Sequence, residues 1–273
     1  MKQLTLFSAL ALAFAAGAQA QPATPPGATN VVIVPGAFVD GSGWRVVHDI
    51  LYQKGYKVTV VHQSHSTLDD DVAATREILD QQVGPTVLVG HSLGGSVITV
   101  AGVRAKVQAL VYVAGFLPDV GESTGQLAES MPVVSNDIIP TRDGHLFFNP
   151  AKFGADFAGD LTENRTNFMA ISQVPATAAV FGAQNWVAAW RDKPSYGIVA
   201  TEDHALNPDL QRWMYQRAGA KVTEIKASHA VYISQPEAVA KVIEEAARNV
   251  GAAPNPTTKP TQVSRINTPM RDR

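Results

Sequence analysis

Ser92 sits in Gly90-His91-Ser92-Leu93-Gly94, between the apolar run Val87-Leu88-Val89 and a segment of helical character. That is the spacing of a nucleophile on a sharp strand-to-helix turn. A serine hydroxyl is a weak nucleophile at neutral pH. It works when a turn exposes it, a base stands beside it and donors face the charge that develops on the substrate. Gly90 and Gly94 meet the first need, because strand and helix can pass close around Ser92 where no Cβ intervenes. The base calls for histidine, and His229, in Lys226-Ala227-Ser228-His229-Ala230 between a late strand and the last helix, is the preferred candidate. His91 adjoins Ser92 on a turn that sends neighbouring side chains apart, which suits it to the pocket wall. Histidine in turn needs a carboxylate that fixes its tautomer and stabilises the imidazolium. Asp203 follows a strand in Thr201-Glu202-Asp203-His204, with Glu202 as the local competitor and His204 expected to turn away. Each residue has a plainer reading: a helix-capping serine, a packed loop histidine, a helix-leading aspartate. Together they point to acyl transfer through a serine.

The elements that must position these groups follow a strand-helix rhythm. Strands are expected at Asn30 to Pro35, Lys57 to Val61, Thr86 to Val89, Val107 to Ala114, Ser195 to Thr201 and near Lys221 to Ile225. Most are continuous apolar, β-branched runs, the pattern of parallel strands covered on both faces. Helices are expected from Trp44 to Lys54, Leu68 toward Gln82, Gly94 to Arg104, Pro208 to Ala218 and Pro236 to Asn249. Trp44, Val47, Ile50 and Leu51 share one face of the first, and Asp69, Asp70 and Asp71 suit the positive end of the second. The result is an α/β fold, a mostly parallel sheet covered by helices on both faces. The rhythm breaks between about Leu117 and Trp186, where five prolines interrupt helical patches around Leu127, Phe157 to Ala170 and Pro175 to Phe181. A structureless excursion of that length is unusual in a compact domain, so residues 117–186 are read as an inserted helical cap. The domain proper is expected over residues 30–249.

The ends read differently. Residues 1–20, with Lys2, an apolar run from Leu4 to Ala16 and Ala18-Gln19-Ala20, have the pattern of a secretory signal peptide. Export to the periplasm or medium is therefore expected, with no stable membrane insertion after cleavage, since the apolar run is short for a bilayer span. Residues 21–29 form a proline-rich flexible lead-in. Residues 250–273 carry four prolines and few apolar anchors, and are expected to be disordered.

Composition narrows the chemistry. The leader contains one lysine and no acidic residue, so the mature chain has 21 basic against 24 acidic side chains, a formal charge of −3. Basic residues are scattered, which argues against a nucleic-acid partner. There is no cysteine, so disulfides, thiolate catalysis and cysteine-ligated metal are excluded. His62 and His65 alone do not make a metal site. No phosphate-binding or dinucleotide glycine motif is present, and no cofactor is expected.

Pro35-Gly36-Ala37-Phe38-Val39-Asp40-Gly41-Ser42-Gly43-Trp44, Gly90 to Gly95, Asp203 with Pro208, and Ser228-His229-Ala230 together carry a family resemblance. The sequence resembles the α/β-hydrolase superfamily, in the branch of small serine esterases and hydroxynitrile-lyase-like proteins, over about Asn30 to Ala247. The order Ser92, Asp203, His229 is that superfamily's triad order. The resemblance implies an oxyanion hole from the backbone N–H groups of Ala37 and Leu93, with Phe38 a second choice to Ala37. Related chains usually begin the first loop with His-Gly, whereas this one has Pro35-Gly36. Hydroxynitrile lyases place a lysine directly after the catalytic histidine; here the position is Ala230. The expected activity is hydrolysis of a small or medium apolar carboxylic ester through an acyl-enzyme. Amide or lactone hydrolysis, lyase chemistry and a non-catalytic small-molecule binder are the alternatives. Phe38, His91, Phe116 and Trp186 are the candidates for the substrate pocket, and the oligomeric state is left open.

Overall fold

The structure, a computed structural model, describes residues 24–133 and 137–251. The leader at 1–20, the start of the lead-in and the tail from 252 onward lie outside the described residues.

The chain runs β1 (Asn30–Val34), a 3₁₀ turn at Gly41–Trp44, α1 (Arg45–Gln53), β2 (Lys57–Val60), α2 (Leu68–Gln81), β3 (Thr86–His91), α3 (Gly94–Ala101) and β4 (Val107–Val113). After an insertion, the alternation resumes with β8 (Ser195–Ala200), α8 (Pro208–Arg217), β9 (Lys221–Ile225), α9 (Val231–Ser234) and α10 (Pro236–Arg248). The six strands form one sheet in the order β2-β1-β3-β4-β8-β9, every pair parallel. The side-chain period of two divides each central strand between two cores. Val32, Val34, Leu88, Leu110 and Tyr112 pack on the α2, α3 and α8 side. Val31, Ile33, Val87, Val89 and Val111 pack on the α1 and α10 side. Full burial of such a side chain stabilises by about 1.5–3 kcal/mol, which explains why the inner strands read as unbroken apolar runs. The outermost strands are partly exposed and carry Lys57, Lys221 and Glu224, charges that discourage edge-to-edge pairing.

The insertion between β4 and β8 contains α4 (Thr124–Ser130), β5 (Ile138–Pro140), β6 (His145–Phe148), α5 (Pro150–Phe157), α6 (Glu163–Ile171), β7 (Ala176–Thr177) and α7 (Ala178–Gly182). Two features differ from the sequence reading. The patch Phe157 to Ala170 takes in the last residue of α5, a non-helical stretch at 158–162 that includes Gly159 and Asp160, and most of α6. The insertion also holds a three-stranded antiparallel sheet, β5-β6-β7, whose strands of two to four residues are too short to display a period. Its two stems run together: Gly121 N–H donates to Asn185 O, and Asn185 N–H to Glu122 O. They are fixed to the body at charged points. Arg191 pairs with Asp119 through two hydrogen bonds of 2.9 and 2.6 Å. Arg217 of α8 grips Glu122 at 2.7 and 2.9 Å and also donates to Leu117 O. Buried Asn185 exchanges two hydrogen bonds with Ser96 of α3.

Candidate active site

The strand order creates the site. From β1 the chain moves outward to β2, whereas β3, β4, β8 and β9 build in the other direction. The loops leaving β1 and β3 therefore meet at the carboxyl edge, at the reversal point where open α/β sheets bind their ligands.

Ser92 directly follows β3 with φ 51°, a left-handed backbone that costs a non-glycine residue about 1–3 kcal/mol and is kept where the surroundings over-determine it. Three backbone bonds do so: Ser92 N–H donates to Val113 O, and Ser92 O accepts from Gly95 and Phe116. The flanking glycines have direct causes. A Cβ on Gly90 would lie 2.5 Å from Gly94 O, and one on Gly94 would lie 2.4 Å from Val34 O. The first loop presses on the same turn, since a Cβ on Gly36 would lie 2.6 Å from Ser92 Cβ. Phe38, further along that loop, also has positive φ, 67°. Ala37, Phe38 and Leu93 are buried, and their N–H groups donate to no described residue. The loop and the α3 N-terminus thus bring undedicated backbone donors to the serine turn.

Asp203 and His229 meet in the interior, both 2% exposed. His229 Nδ1 lies 2.7 Å from Asp203 Oδ2, so the ring donates there as the Nδ1–H tautomer and presents Nε2 as a base. Asp203 Oδ1 accepts from the N–H groups of Ala205 and Leu206 at 2.9 and 2.8 Å. Gln211 Nε2 reaches Oδ2 at 2.8 Å. Glu202, the local competitor, points outward and pairs with Lys226 at 3.5 Å, and His204 is exposed.

The His229 loop is fixed from three sides. His91 Nε2 donates to His229 O at 3.0 Å. Ala230 N–H donates to Phe157 O at 3.1 Å. Asp160 accepts from both the N–H and the hydroxyl of Ser228. Burial would raise the Asp160 carboxyl, but the bonds from Ser228 outweigh it and hold it below the usual aspartate range. His91 is wholly buried against Trp44, Tyr232 and the His229 ring. Burial first, then His229, holds its basicity well below the ordinary histidine range, so it serves as a neutral wall and brace. Ser92 Oγ donates to no described residue.

An aromatic chain roofs the site. Phe38 stacks on Phe181 of α7 at 5.9 Å and meets Phe148 of β6 edge-on at 6.2 Å. Phe148 continues to Phe157 at 5.9 Å, and Phe157 sets its ring across that of His229 at 4.7 Å. Of the pocket candidates, Phe38 and His91 are in this assembly, and Phe116 bonds the Ser92 carbonyl through its N–H. Trp186 makes none of these ring contacts. It is 44% exposed, because the irregular segment after Gln184 carries it along the outer surface. A cavity of about 600 Å³ lies between the first loop, α6 and α9, lined by Phe38, Val39, Arg165, Phe168 and Tyr232. A second, of about 530 Å³, adjoins Asp203, His204 and Asp156. Neither is lined by Ser92. His65, the second of the histidine pair, is buried on Asp71 at 3.2 Å. Among the described residues no three His, Asp or Glu side chains converge as a metal site.

Two supporting residues escaped the sequence reading, Gln211 and Asp160. The signal for Gln211 was its place in the buried stripe Leu210, Gln211, Met214, Tyr215 of α8, where a polar residue needs an internal partner. Asp160 gave no such signal.

This sheet, with these loops at its reversal point, is that of an α/β hydrolase. The chain belongs to the Alpha/beta hydrolase family, matching it over residues 31–242. It is 26% identical over 247 residues to the pyrethroid hydrolase of Sphingobium wenxiniae, an alignment covering 80% of this chain and 87% of that protein. Over 108 residues it is 32% identical to the carbendazim hydrolyzing esterase of a Nocardioides species, covering 34% of this chain and 45% of that one. The structure of polyneuridine aldehyde esterase superposes with a TM-score of 0.69 at 20% identity, over 80% of this chain and 98% of that one, a likeness of fold.

Proposed function

We propose that the protein hydrolyses small or medium, largely apolar carboxylic esters through an acyl-enzyme on Ser92. The observation that carries this reading is the buried 2.7 Å contact of His229 Nδ1 with Asp203 Oδ2, at the same sheet edge as a serine on a strained turn. Similarity to a pyrethroid hydrolase and a carbendazim hydrolyzing esterase supports ester cleavage. The aromatic roof supports an apolar substrate.

His229 Nε2 takes the Ser92 proton as Oγ attacks the ester carbonyl. Ser92 Oγ and His229 Nε2 are not hydrogen-bonded in the structure; such a catalytic bond commonly forms or tightens only in the substrate complex. The N–H groups of Ala37 and Leu93 receive the tetrahedral oxyanion, each such donor worth about 2.7–4 kcal/mol of transition-state stabilisation. His229 then passes its proton to the departing alkoxide, and water activated by the same ring releases the acid. Asp203 stabilises the imidazolium in both steps.

A fluorophosphonate probe tests the serine assignment. Stoichiometric labelling of the folded protein, lost in Ser92→Ala, is the expected result; unlabelled folded protein refutes it. A kinetic panel varying acyl and leaving groups independently tests the substrate class. Activated short-chain esters are expected to lead, and an amide or lactone with far higher kcat/KM would displace them while leaving the serine chemistry in place.

A further inference from the structure

We propose that Gln211 is a positioning residue that sets how strongly Asp203 supports the charged form of His229, an inference that rests on the ester-hydrolase reading above. Its side-chain amide is wholly buried and fully engaged. Nε2 donates to Asp203 Oδ2 at 2.8 Å and to Leu206 O at 2.9 Å, while Oε1 accepts from Ala200 N–H at 3.1 Å. One amide thus ties the end of β8, the acid-bearing loop and the carboxylate itself to α8.

The atom it chooses matters. Oδ1 is occupied by two backbone donors, whereas Oδ2 is shared between Gln211 Nε2 and His229 Nδ1. Two donors on one carboxylate oxygen divide its negative charge, so the amide weakens the hold of Asp203 on a charged imidazole while fixing where the oxygen points. Gln211 therefore fixes the direction of Oδ2 toward His229 Nδ1 and takes a share of its negative charge.

Other charged or titratable groups around the pair are few and fixed. From β3, His91 is neutral and buried. From α8, the Tyr215 hydroxyl is occupied by Gly115. From the insertion, Asp160 is bonded to Ser228, and Asp156 borders the cavity beside Asp203. Glu202, Lys226 and His204 are exposed.

The test compares pH profiles of kcat/KM for the wild-type chain, Gln211→Met and Gln211→Leu on an activated ester. Methionine removes the competing donor at similar volume, and the acid limb moves upward by about half to one pH unit. Leucine removes the same donor and moves the limb in the same direction. If methionine prevents folding, the leucine profile decides. Limbs superposing on the wild type, with only thermal stability lowered, would reduce Gln211 to a structural residue and overturn the inference. Fluorophosphonate labelling separates the two claims. A labelled wild type with unmoved limbs refutes the role of Gln211 alone, whereas an unlabelled wild type refutes the ester reading and this inference with it.

Discussion

The carboxyl edge of the sheet and the insertion above it are held together in different ways. At the sheet edge backbone touches backbone: a Cβ on Gly95 would lie 2.1 Å from Phe116 O, and the serine turn is bonded to β4 and to Phe116. In the insertion, Cβ atoms on Gly121, Gly144 or Gly182 would meet nothing within 4 Å, and the strands are two to four residues long. The insertion is attached at polar points, Asp119 and Glu122 at its base, Asn185 on its return and Asp160 on the His229 loop, by backbone bonds from Ala230 to Phe157 and from Thr177 to His65, and by Phe148, Phe153, Phe157 and Val180 packing into the core. The serine turn is thus built where an added atom is least tolerated, whereas the insertion has positions that would accept one without contact.

The largest effects should come from the rigid side. His229→Ala removes the base, and kcat on an activated ester should fall by about 10⁶-fold, as for base removal in other serine triads. Loss of less than tenfold would break the acyl-transfer reading. Asp203→Asn should cost about 10⁴-fold, because an amide favours the wrong tautomer. Glu202→Gln, which loses only an exposed pair with Lys226, should stay within about twofold. A reversed order would move the acid role to Glu202.

How much of this was legible follows from the same contrast. Ser92 and Asp203 lie just beyond strands whose apolar runs announce themselves locally, whereas β9 before His229 is a half-exposed edge strand and His229 is reached through the motif and its order. The insertion was legible as an interruption but not in its content. The pairing of β6 with β7 joins residues about thirty apart through two-residue contacts, which local propensity does not encode. Trp186 shows the limit. Its aromatic ring suggested a wall, but only tertiary packing decides which side of an irregular segment faces the substrate. Gln211 and Asp160 act across 8 and 68 residues on their partners, and neither belongs to a motif.

Gly95→Ala probes the close approach itself. Backbone at 2.1 Å cannot yield cheaply, so the variant should lose about 1–3 kcal/mol or more of stability, read as a lower denaturant midpoint, and kcat should fall because Phe116 carries the Ser92 carbonyl. A stable, fully active variant would show that the serine turn is not held by this contact. Asp160→Ala probes the attachment between the two regions. Asp160 is exposed to solvent, so the loss should be about 1 kcal/mol, at the low end for a charge-assisted contact. Because the folded carboxyl is held below its ordinary range, its contribution is full above the unfolded aspartate value of about 3.9 and disappears as pH falls through the depressed folded value. Melting curves of wild type and variant should therefore converge in acid, and a gap that persists there would remove Asp160 as the source.

The smallest effect is the control that gives the comparison its meaning. Gly182 closes α7 in the insertion without positive φ, and an added Cβ meets open space. Alanine restricts the unfolded chain more than glycine does, and this alone stabilises by about 0.4–1 kcal/mol where the native conformation suits it. Gly182→Ala should therefore leave kcat unchanged and raise the melting temperature slightly or not at all. The same chemical change, one methyl group, is then harmful at position 95 and harmless at 182, although both helices border the same site. If Gly182→Ala instead lowered kcat/KM for bulky esters with stability intact, the space beside α7 would be in use by substrate, and the insertion would be a shaped wall whose open volume is itself a determinant of specificity.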